Sequence, residues 1–217
     1  MESGQERPMA RDSSAVRREP TQRRSRERVE RMLAAASALI AENGSDALRM
    51  GEVAERAGVS IGSLYQFFPD KSGIIRALAE RYTVESHACI AEALGAVDNP
   101  TDLERSFLAL VDTYYALFLA EPVMRDIWSG TQADKALRTL ELADSRANAH
   151  LLNSVLKRFC PEVEQKELDA ATLLIWQMGE ATMRLAISVD PEEGDRLVAA
   201  YKRMAARELA AICQGSR

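Results

Sequence analysis

The sequence has few prolines and cysteines and no long hydrophobic run. Only seven prolines interrupt 217 residues, which leaves room for long helices. The three cysteines show no CxxC spacing, so they indicate neither a zinc site nor an even disulfide framework. The longest uncharged run, Ala57 to Pro69, is far shorter than the ~20 residues that cross a bilayer, and no early apolar stretch resembles a secretory signal. We therefore expect a cytoplasmic protein with no membrane partner.

The composition predicts a folded core and an uneven distribution of charge. Hydrophobic residues make up 47% of the chain and charged residues 28%, and the formal net charge is -5. Residues 1–84 hold 14 Lys and Arg against 12 Asp and Glu, whereas residues 85–217 hold 14 against 21. A basic front and an acidic remainder favour a small polyanion-binding module attached to a larger body with another task.

The periodicity of apolar residues predicts an all-α fold of about nine helices. Residues 1–24 have few large apolar groups and are interpreted as a mobile basic arm. Apolar residues then recur at helical spacing, and no alternating run of strand length is present. The predicted helices span about 25–43, 51–57, 61–67, 71–95, 102–120, 123–130, 134–159, 165–188 and 192–213.

The segment from Met50 to Lys71 has the spacing of a helix-turn-helix. Two short helices flank Gly58, which can adopt the left-handed backbone of the turn, and Val59 can pin that turn to the core. Ser60 can cap the second helix, whose inward side holds Leu64 and Phe68. We therefore expect a DNA-binding module here.

The same segment resembles the DNA-binding signature of the TetR family of transcriptional repressors. The pattern AxxAGVSxGxLYxxFxxK runs from Ala54 to Lys71, and the resemblance covers residues 25–80. It implies a homodimer that binds a palindromic operator through its N-terminal modules. It also implies that the protein releases DNA when a small effector enters the C-terminal body.

The resemblance implies a role for individual residues of this segment. Ser63 and Tyr65 would contact the DNA backbone, Ile61 and Phe67 would lie nearest the bases, and Lys71 would bind a phosphate. Arg49 stands where the family usually has a Thr or Ser that caps helix two and touches phosphate, and we interpret Arg49 as a phosphate contact instead. The implied DNA-binding residues are Arg49, Ser60, Ile61, Gly62, Ser63, Tyr65, Phe67 and Lys71.

Two features of the N-terminal region, the aromatic residues and the basic arm, have alternative interpretations. Taken alone, Tyr65 or Phe67 would be interpreted as an ordinary core aromatic residue. The turn glycine, the serine cap and Lys71 together favour a role in DNA binding instead. The basic arm can be a solvated run of charge or can reach the minor groove of DNA. Its arginines are Arg17, Arg18, Arg23, Arg24, Arg26 and Arg28.

The C-terminal helices carry more large apolar residues than a surface helix requires. Such residues can line an effector cavity or can fill a plain packed core. Asp144, Asn148 and His150 interrupt one of these helices and are candidates to orient a ligand. The predicted cavity residues are Phe107, Val111, Tyr114, Phe118, Trp128, Leu140, Asn148 and Trp176.

The last two helices are expected, by resemblance, to pack against a second copy as a four-helix bundle. Helix 192–213 has one broad apolar stripe, and the alanines beside this stripe permit a neighbouring helix to approach closely. Part of that stripe would also serve the core of the single chain. The predicted interface residues are Trp176, Met183, Leu197, Tyr201, Met204 and Ala205.

The sequence favours binding over catalysis. No nucleophile elbow, phosphate loop or paired catalytic carboxylate is present, and no cofactor is implied. His87 and His150 lack partners at metal-ligand spacing, and Cys89, Cys160 and Cys213 are interpreted as inert small hydrophobes. The competing hypotheses are a DNA-binding architectural protein without effector and an all-α enzyme or carrier. We expect an arm over 1–24, a DNA-binding domain over 25–70 and a ligand-binding and dimerisation domain over 71–217.

Overall fold

The protein folds into helices throughout the described part of the chain. The computed structural model describes residues 14–130 and 135–214. Within these ranges there are nine α-helices, in agreement with the sequence. They are α1 (Ser14–Asn43), α2 (Met50–Ala57), α3 (Ile61–Phe67), α4 (Lys71–Gly95), α5 (Pro100–Ala120), α6 (Pro122–Gly130), α7 (Lys135–Phe159), α8 (Gln165–Ala186) and α9 (Pro191–Gln214).

Caps and prolines explain most of the helix starts. The side chains of Asp70 and Asn99 accept the N–H groups of Gly73 and Asp102 at 2.8 and 3.0 Å, which fixes the first turns of α4 and α5. Helices α5, α6 and α9 each begin at a proline, whose missing N–H costs nothing in a first turn. These local signals are why the predicted boundaries agree closely with the structure.

The start of α1 differs from the sequence prediction. The helix begins at Ser14, so the predicted mobile arm over 1–24 is helical from that residue onward, and residues 1–13 lie outside the described part. Arg, Glu and Gln are good helix formers even where they bury nothing. An i, i+4 ion pair of 3.4 Å between Arg23 and Glu27 adds to that preference.

Two apolar clusters form the core. The N-terminal cluster holds Met32, Ala36, Val53, Leu64, Ile74 and Leu78 of α1 to α4, and it also takes in Val123, Ile127 and Leu137. The C-terminal cluster is built from α4 to α9, and includes Ile90, Phe107, Phe118, Met124, Leu152, Leu168 and Leu209. Tyr82 and Trp128 pack against both clusters. The two halves of the chain therefore share a packed junction at α4 and α6.

Cysteine pairing corrects one expectation. Cys160 is buried just after α7 and is disulfide-bonded, whereas Cys89 is free and exposed. The interpretation of Cys160 as an inert hydrophobe is therefore wrong, because spacing along a chain does not show which sulfurs the fold brings together. The side chain of Cys213 lies outside the described residues.

In the described ranges no single helix is long and apolar enough to cross a membrane. The pair of α5 with the first part of α6 reaches that length and apolarity only together, across a bend of 101°.

Candidate DNA-binding and effector-binding sites

The turn between α2 and α3 has the geometry that the sequence predicts. Gly58 adopts φ 64° and ψ 39°, a left-handed conformation that side chains other than glycine rarely accept. Its N–H donates to the carbonyl of Glu55 at 3.1 Å, and the N–H of Val59 donates to the carbonyl of Ala54 at 3.0 Å. The turn thus ends α2 and redirects the chain into α3 with its backbone groups satisfied.

Helix α3 presents apolar side chains to solvent. Ser60 caps it by accepting the N–H of Ser63 at 3.1 Å, while Leu64 is fully buried beneath it. Ile61 and Tyr65, one turn apart on α3, are 45% and 51% exposed. Exposed large apolar groups on a short rigid helix indicate a surface that contacts a partner.

Two predicted DNA contacts on α3 are already engaged within the chain. Phe67 is half-buried and packs against the N-terminal cluster, so part of its ring supports α3 from inside. The reason is helical spacing, because Phe67 lies three residues after Leu64 and turns inward with it. Ser63 is half-buried as well, and its hydroxyl accepts a hydrogen bond of 3.4 Å from Arg28 of α1.

The cationic groups lie around α3, since α3 itself has no charge. Arg49 precedes α2 without capping it, and its side chain is 80% exposed beside Glu52. Lys71 begins α4 and donates to the backbone carbonyl of Asp46 at 3.0 Å. An ammonium group has three donors, so this bond leaves two for a phosphate. The side chain of Asp70 accepts the N–H of Gly73. The N–H groups of the residues just before Gly73, in the first turn of α4, have no acceptor within the helix and can bind a phosphate.

Gly62 faces open space on the outer side of α3. A Cβ added at this position would meet no atom within 4 Å, and the same is true of Gly51 in α2. Neither glycine has a positive φ. The fold therefore does not itself require glycine at position 62.

A cavity opens among the C-terminal helices. Its volume is about 70 Å³, counted as room for the centres of water-sized molecules, and it is partly open to solvent. Two edge-to-face aromatic pairs, Phe107 with Trp176 and Phe118 with Trp128, stand at centroid distances of 6.1 and 6.0 Å. Its lining residues are Ser86, Phe107, Leu110, Val111, Tyr114, Phe118, Trp128, Asp144, Asn148, Trp176, Gly179, Glu180, Met183 and Tyr201.

The structure brings seven of the eight predicted cavity residues to this lining. They come from α5 to α8, where i, i+4 and i, i+7 spacing places them on inward faces. Leu140 is the exception, because it packs against the N-terminal cluster on the far side of Trp128. His150, a candidate for orienting a ligand, is exposed and lies outside the lining, whereas Asp144 and Asn148 belong to it.

Two acidic side chains give the cavity its polar side. Burial raises the pKa of Glu180 to about 8, and the neighbouring Glu141 and Asp144 add to that rise. Burial also raises the pKa of Asp144 to about 6, against the opposing effects of His87 and Asn148. Glu180 accepts hydrogen bonds from Ser145 at 2.7 Å and from Gln177 at 3.1 Å. The lining thus combines aromatic surface with buried carboxyl groups.

Helix α6 touches both the cavity and the helix-turn-helix module. Trp128 lines the cavity, and Ile127 beside it is buried in the N-terminal cluster. Asp126 accepts the backbone N–H of Ser45 at 2.8 Å, in the turn between α1 and α2. One helix of nine residues therefore connects the cavity wall to the frame of α2 and α3.

Comparison with known families decides the assignment. Residues 32–78 match the family of bacterial regulatory proteins, tetR family, and residues 101–213 match the tetracyclin repressor-like C-terminal domain. The chain belongs to the TetR family of transcriptional regulators. The predicted all-α fold with an N-terminal helix-turn-helix is confirmed, and the family is one of DNA-binding regulators and not of enzymes.

Sequence similarity to curated proteins covers short stretches of the chain. The HTH-type transcriptional repressor KstR of Rhodococcus jostii is 43% identical over 58 residues, which is 26% of this chain and 27% of that protein. KstR of Mycobacterium tuberculosis is 46% identical over 46 residues, 21% of each chain. The match thus spans about a quarter of the length of these relatives.

Solved TetR structures resemble the chain over most of its length. A regulator from Streptomyces coelicolor superposes with a TM-score of 0.65 at 23% identity, covering 85% of this chain and 99% of that one. RolR in complex with resorcinol gives 0.61 at 21% identity, with coverages of 88% and 95%. FadR of Bacillus subtilis with stearoyl-CoA gives 0.62 at 16% identity, with coverages of 86% and 98%. At these identities the likeness establishes the fold.

The structure divides the predicted interface residues of this TetR protein into two groups. Met183, Tyr201 and Ala205 are buried inside the chain, so they are removed from the set that a second copy could touch. Tyr201 points inward because its hydroxyl donates to the carbonyl of Ile175 at 2.7 Å over the bare backbone of Gly179. Trp176 lines the cavity, Leu197 is half-buried and Met204 is 53% exposed.

Sequence reasoning missed Glu180 as a cavity residue. Trp176, Glu180 and Met183 follow one another at i, i+4 and i+7, which places Glu180 on the same inward face of α8. That spacing was the available signal, although a glutamate on a helix is usually exposed. Within the described residues no three His, Cys, Asp or Glu side chains come together as a metal site.

Proposed function

We propose that this protein is a homodimeric transcriptional repressor that binds a palindromic operator through α3 and leaves it when a small molecule enters the cavity. The observation that carries the proposal is the position of α6. Through Trp128 this helix forms part of the cavity wall, and through Asp126 it holds the turn that precedes α2. A ligand that favours a different position of Trp128 would therefore also favour a different placement of the helix-turn-helix.

The DNA-binding surface in this proposal is the exposed side of α3 and the cations beside it. Ile61 and Tyr65 supply apolar and hydroxyl contacts, and Gly62 between them allows close approach to the backbone of DNA. Lys71 and Arg49 supply phosphate contacts at the two ends of the motif. Phosphate contacts position a protein on DNA, whereas groups that reach base edges select the sequence. Ser60 serves as the cap that orients α3.

The partner in the dimer is proposed to cover exposed apolar residues of α8 and α9. Leu174 of α8 is 60% exposed and Met204 of α9 is 53% exposed, although the two helices are otherwise packed on the core. A twofold dimer would present two recognition helices to successive major grooves, roughly 34–36 Å apart or a multiple of that distance. This arrangement accounts for a palindromic operator.

A small-molecule effector is supported by the cavity and by the fold. RolR holds resorcinol and Bacillus subtilis FadR holds stearoyl-CoA on similar folds, so the architecture accommodates ligands of different size. The domain division that fits this function is a DNA-binding part up to about residue 70 and a ligand-binding and dimerisation part beyond it. The two parts share the packing around Trp128 and Tyr82.

Operator binding under a salt titration tests the DNA-binding assignment. The operator is selected from random duplexes, and the affinities of the wild type, Tyr65→Ala and Lys71→Ala are compared. Loss of the Lys71 ammonium should weaken binding and reduce the salt slope by about 1, and loss of Tyr65 should weaken binding on every sequence. Lys202→Ala on α9 is the matched control, since Lys202 pairs with Asp112 far from α3. An unchanged salt slope for Lys71→Ala would contradict the proposed phosphate contact of Lys71.

A further inference from the structure

The charge of the cavity lining has one sign. Asp144 of α7 and Glu180 of α8 line it, and within the described parts of the chain no Lys, Arg or His does so. The nearest guanidinium on α8, that of Arg184, is paired with Glu141 of α7. An anionic ligand would therefore enter a low-dielectric space that holds no cation to meet it.

The hydrogen bonds around Glu180 come from neutral groups. Ser145 and Gln177 donate to its two oxygens, and Gln177 also donates to Ser145 at 2.6 Å. Neutral donors orient the carboxyl group, which burial keeps protonated at neutral pH in the free protein, and a bound cation would favour its ionised form. Glu141 pairs with Arg184, and its side chain also hydrogen-bonds Glu180 and raises the pKa of that group. No cation of the lining meets the carboxyl group of Glu180, so a ligand can supply one.

The neighbours of Asp144 differ from those of Glu180. Asn148 lies beside it, and the Oδ1 atom of Asn148 is 2.8 Å from Nδ1 of His87 on α4. His87 lowers the pKa of Asp144 from outside the lining. Asp144 therefore has a basic neighbour beside the cavity, whereas the lining offers none to Glu180.

The remaining lining also suits a positive apolar group. Phe107, Phe118, Trp128 and Trp176 present ring surfaces to the cavity, and aromatic faces attract cations, most strongly where water is excluded. The hydroxyl of Tyr114 is buried at the cavity beside Ser86, which also belongs to the lining. Hydroxyl oxygens have two lone pairs, so these groups are further acceptors for a ligand N–H group.

We propose that the effector of this protein is an organic cation, an apolar and preferably aromatic ammonium compound whose charge is held by Glu180, with Asp144 as a second acidic contact. The inference rests on the proposed function, because it names the chemical class that the proposed effector site accepts. It excludes carboxylates and acyl-CoA thioesters, whose negative charges would face Glu180 in a space without cations. Neutral aromatic compounds would fill the same space without using its charge.

Three probes of similar shape separate these classes. Phenyltrimethylammonium and tert-butylbenzene differ only in a charged nitrogen for a carbon, and 4-tert-butylbenzoate carries the opposite charge. Trp128 and Trp176 are the two tryptophans of the chain and both line the cavity, so intrinsic fluorescence reports binding there. The cation is expected to bind the wild type at least about tenfold more tightly than its neutral isostere, and the benzoate more weakly than both.

Variants test whether Glu180 is responsible. Glu180→Gln keeps the size of the side chain and should lower the affinity for phenyltrimethylammonium about tenfold or more, while the affinity for tert-butylbenzene stays within about twofold. Glu92→Gln, at an exposed position of α4, removes the same charge outside the cavity and should change neither affinity. Thermal unfolding of each variant shows that the fold is retained.

The outcomes distinguish this inference from the function on which it rests. If the neutral or anionic probe binds as tightly as the cation, or if Glu180→Gln binds the cation as the wild type does, the inference is wrong while an effector cavity remains. If no probe of any charge alters the fluorescence, both the inference and the effector site itself are contradicted. The wild-type comparison decides the matter even if a variant does not fold.

Discussion

Asp126 Oδ2 accepts a hydrogen bond of 2.8 Å from the backbone N–H of Ser45, which joins α6 to the turn that precedes α2. Gly44, beside Ser45, has a φ of 81°, in the left-handed region that favours glycine. Two residues further along α6, Trp128 lines the cavity. The bond is thus the polar part of a short connection between the proposed effector site and the DNA-binding module.

Removal of this bond should reduce communication between the two sites. Asp126→Ala is expected to lower stability by about 1–2 kcal/mol, because Ser45 loses a charged acceptor. It should also lower the factor by which a cavity ligand weakens operator binding, a factor that typically lies between about 5 and 150. Operator affinity measured with and without ligand gives this factor, and Asp98→Ala at an exposed position is the control. A variant with the wild-type factor would show that coupling runs elsewhere.

Gly62 should be needed for DNA and not for the fold. Gly62→Ala places a methyl group in open space on α3, so the melting temperature should hold or rise, since alanine favours helix more than glycine does. Operator affinity should nevertheless fall about tenfold or more, because that methyl group would separate α3 from the DNA backbone. Gly51→Ala, equally open but on α2, is the matched control. Equal operator affinities for both variants would place the DNA elsewhere.

The sequence predicted local structure better than it predicted the direction of individual side chains. The limits of α3 follow from local signals, namely the turn at Gly58, the cap at Ser60 and the stop at Pro69. The sequence therefore predicts α3 at the residues where it lies. Tyr201 was assigned to a surface because an apolar stripe does not show which of its members face inward. That direction is decided by the close approach of α9 to Gly179, a contact distant in sequence.

The misplacement of Leu140 and the omission of Glu180 have the same origin. Periodicity places a residue on a face of its helix but does not show what lies opposite that face. Leu140 faces α4 and α6 at the N-terminal cluster, and Glu180 faces the cavity. Composition ranks a glutamate as exposed, and only the packing of α7 against α8 shows that it is buried.

The proposed dimer depends on the exposed apolar side of α8 and α9. Met204→Glu or Leu174→Glu should convert the dimer to a monomer, because each places a charge where a partner would bury an apolar group. Leu119→Glu alters a comparably exposed leucine at the end of α5 and should leave the dimer intact. Light scattering gives the mass of each variant. Stable dimers of both Met204→Glu and Leu174→Glu would move the interface to another face.

Glu180 should make stability depend on pH. Its pKa is about 8 in the folded chain, against an ordinary value of 4.5, so between these values the folded state keeps a proton that the unfolded state has released. The unfolding free energy therefore falls as pH rises through this range. Glu180→Gln cannot titrate, and it should exceed the wild type by about 1–3 kcal/mol at pH 8 while differing little at pH 5.

Urea denaturation at the two pH values measures this difference. The groups that face Glu180, namely Asp144, Tyr114, Tyr201 and the Glu141 pair with Arg184, are common to both proteins and cancel in the comparison. Glu92→Gln should follow the wild type at both values. Parallel stability profiles for the wild type and Glu180→Gln would mean that Glu180 is ionised in the folded chain.

The most direct test of the account is a linked titration of ligand and operator. A ligand that changes the fluorescence of Trp128 and Trp176 is titrated into the free protein and into its operator complex, and operator affinity is measured with and without the same ligand. The account predicts that operator lowers the affinity for the ligand by the same factor by which the ligand lowers the affinity for operator. A ligand that fills the cavity equally well in the free and DNA-bound protein would contradict it.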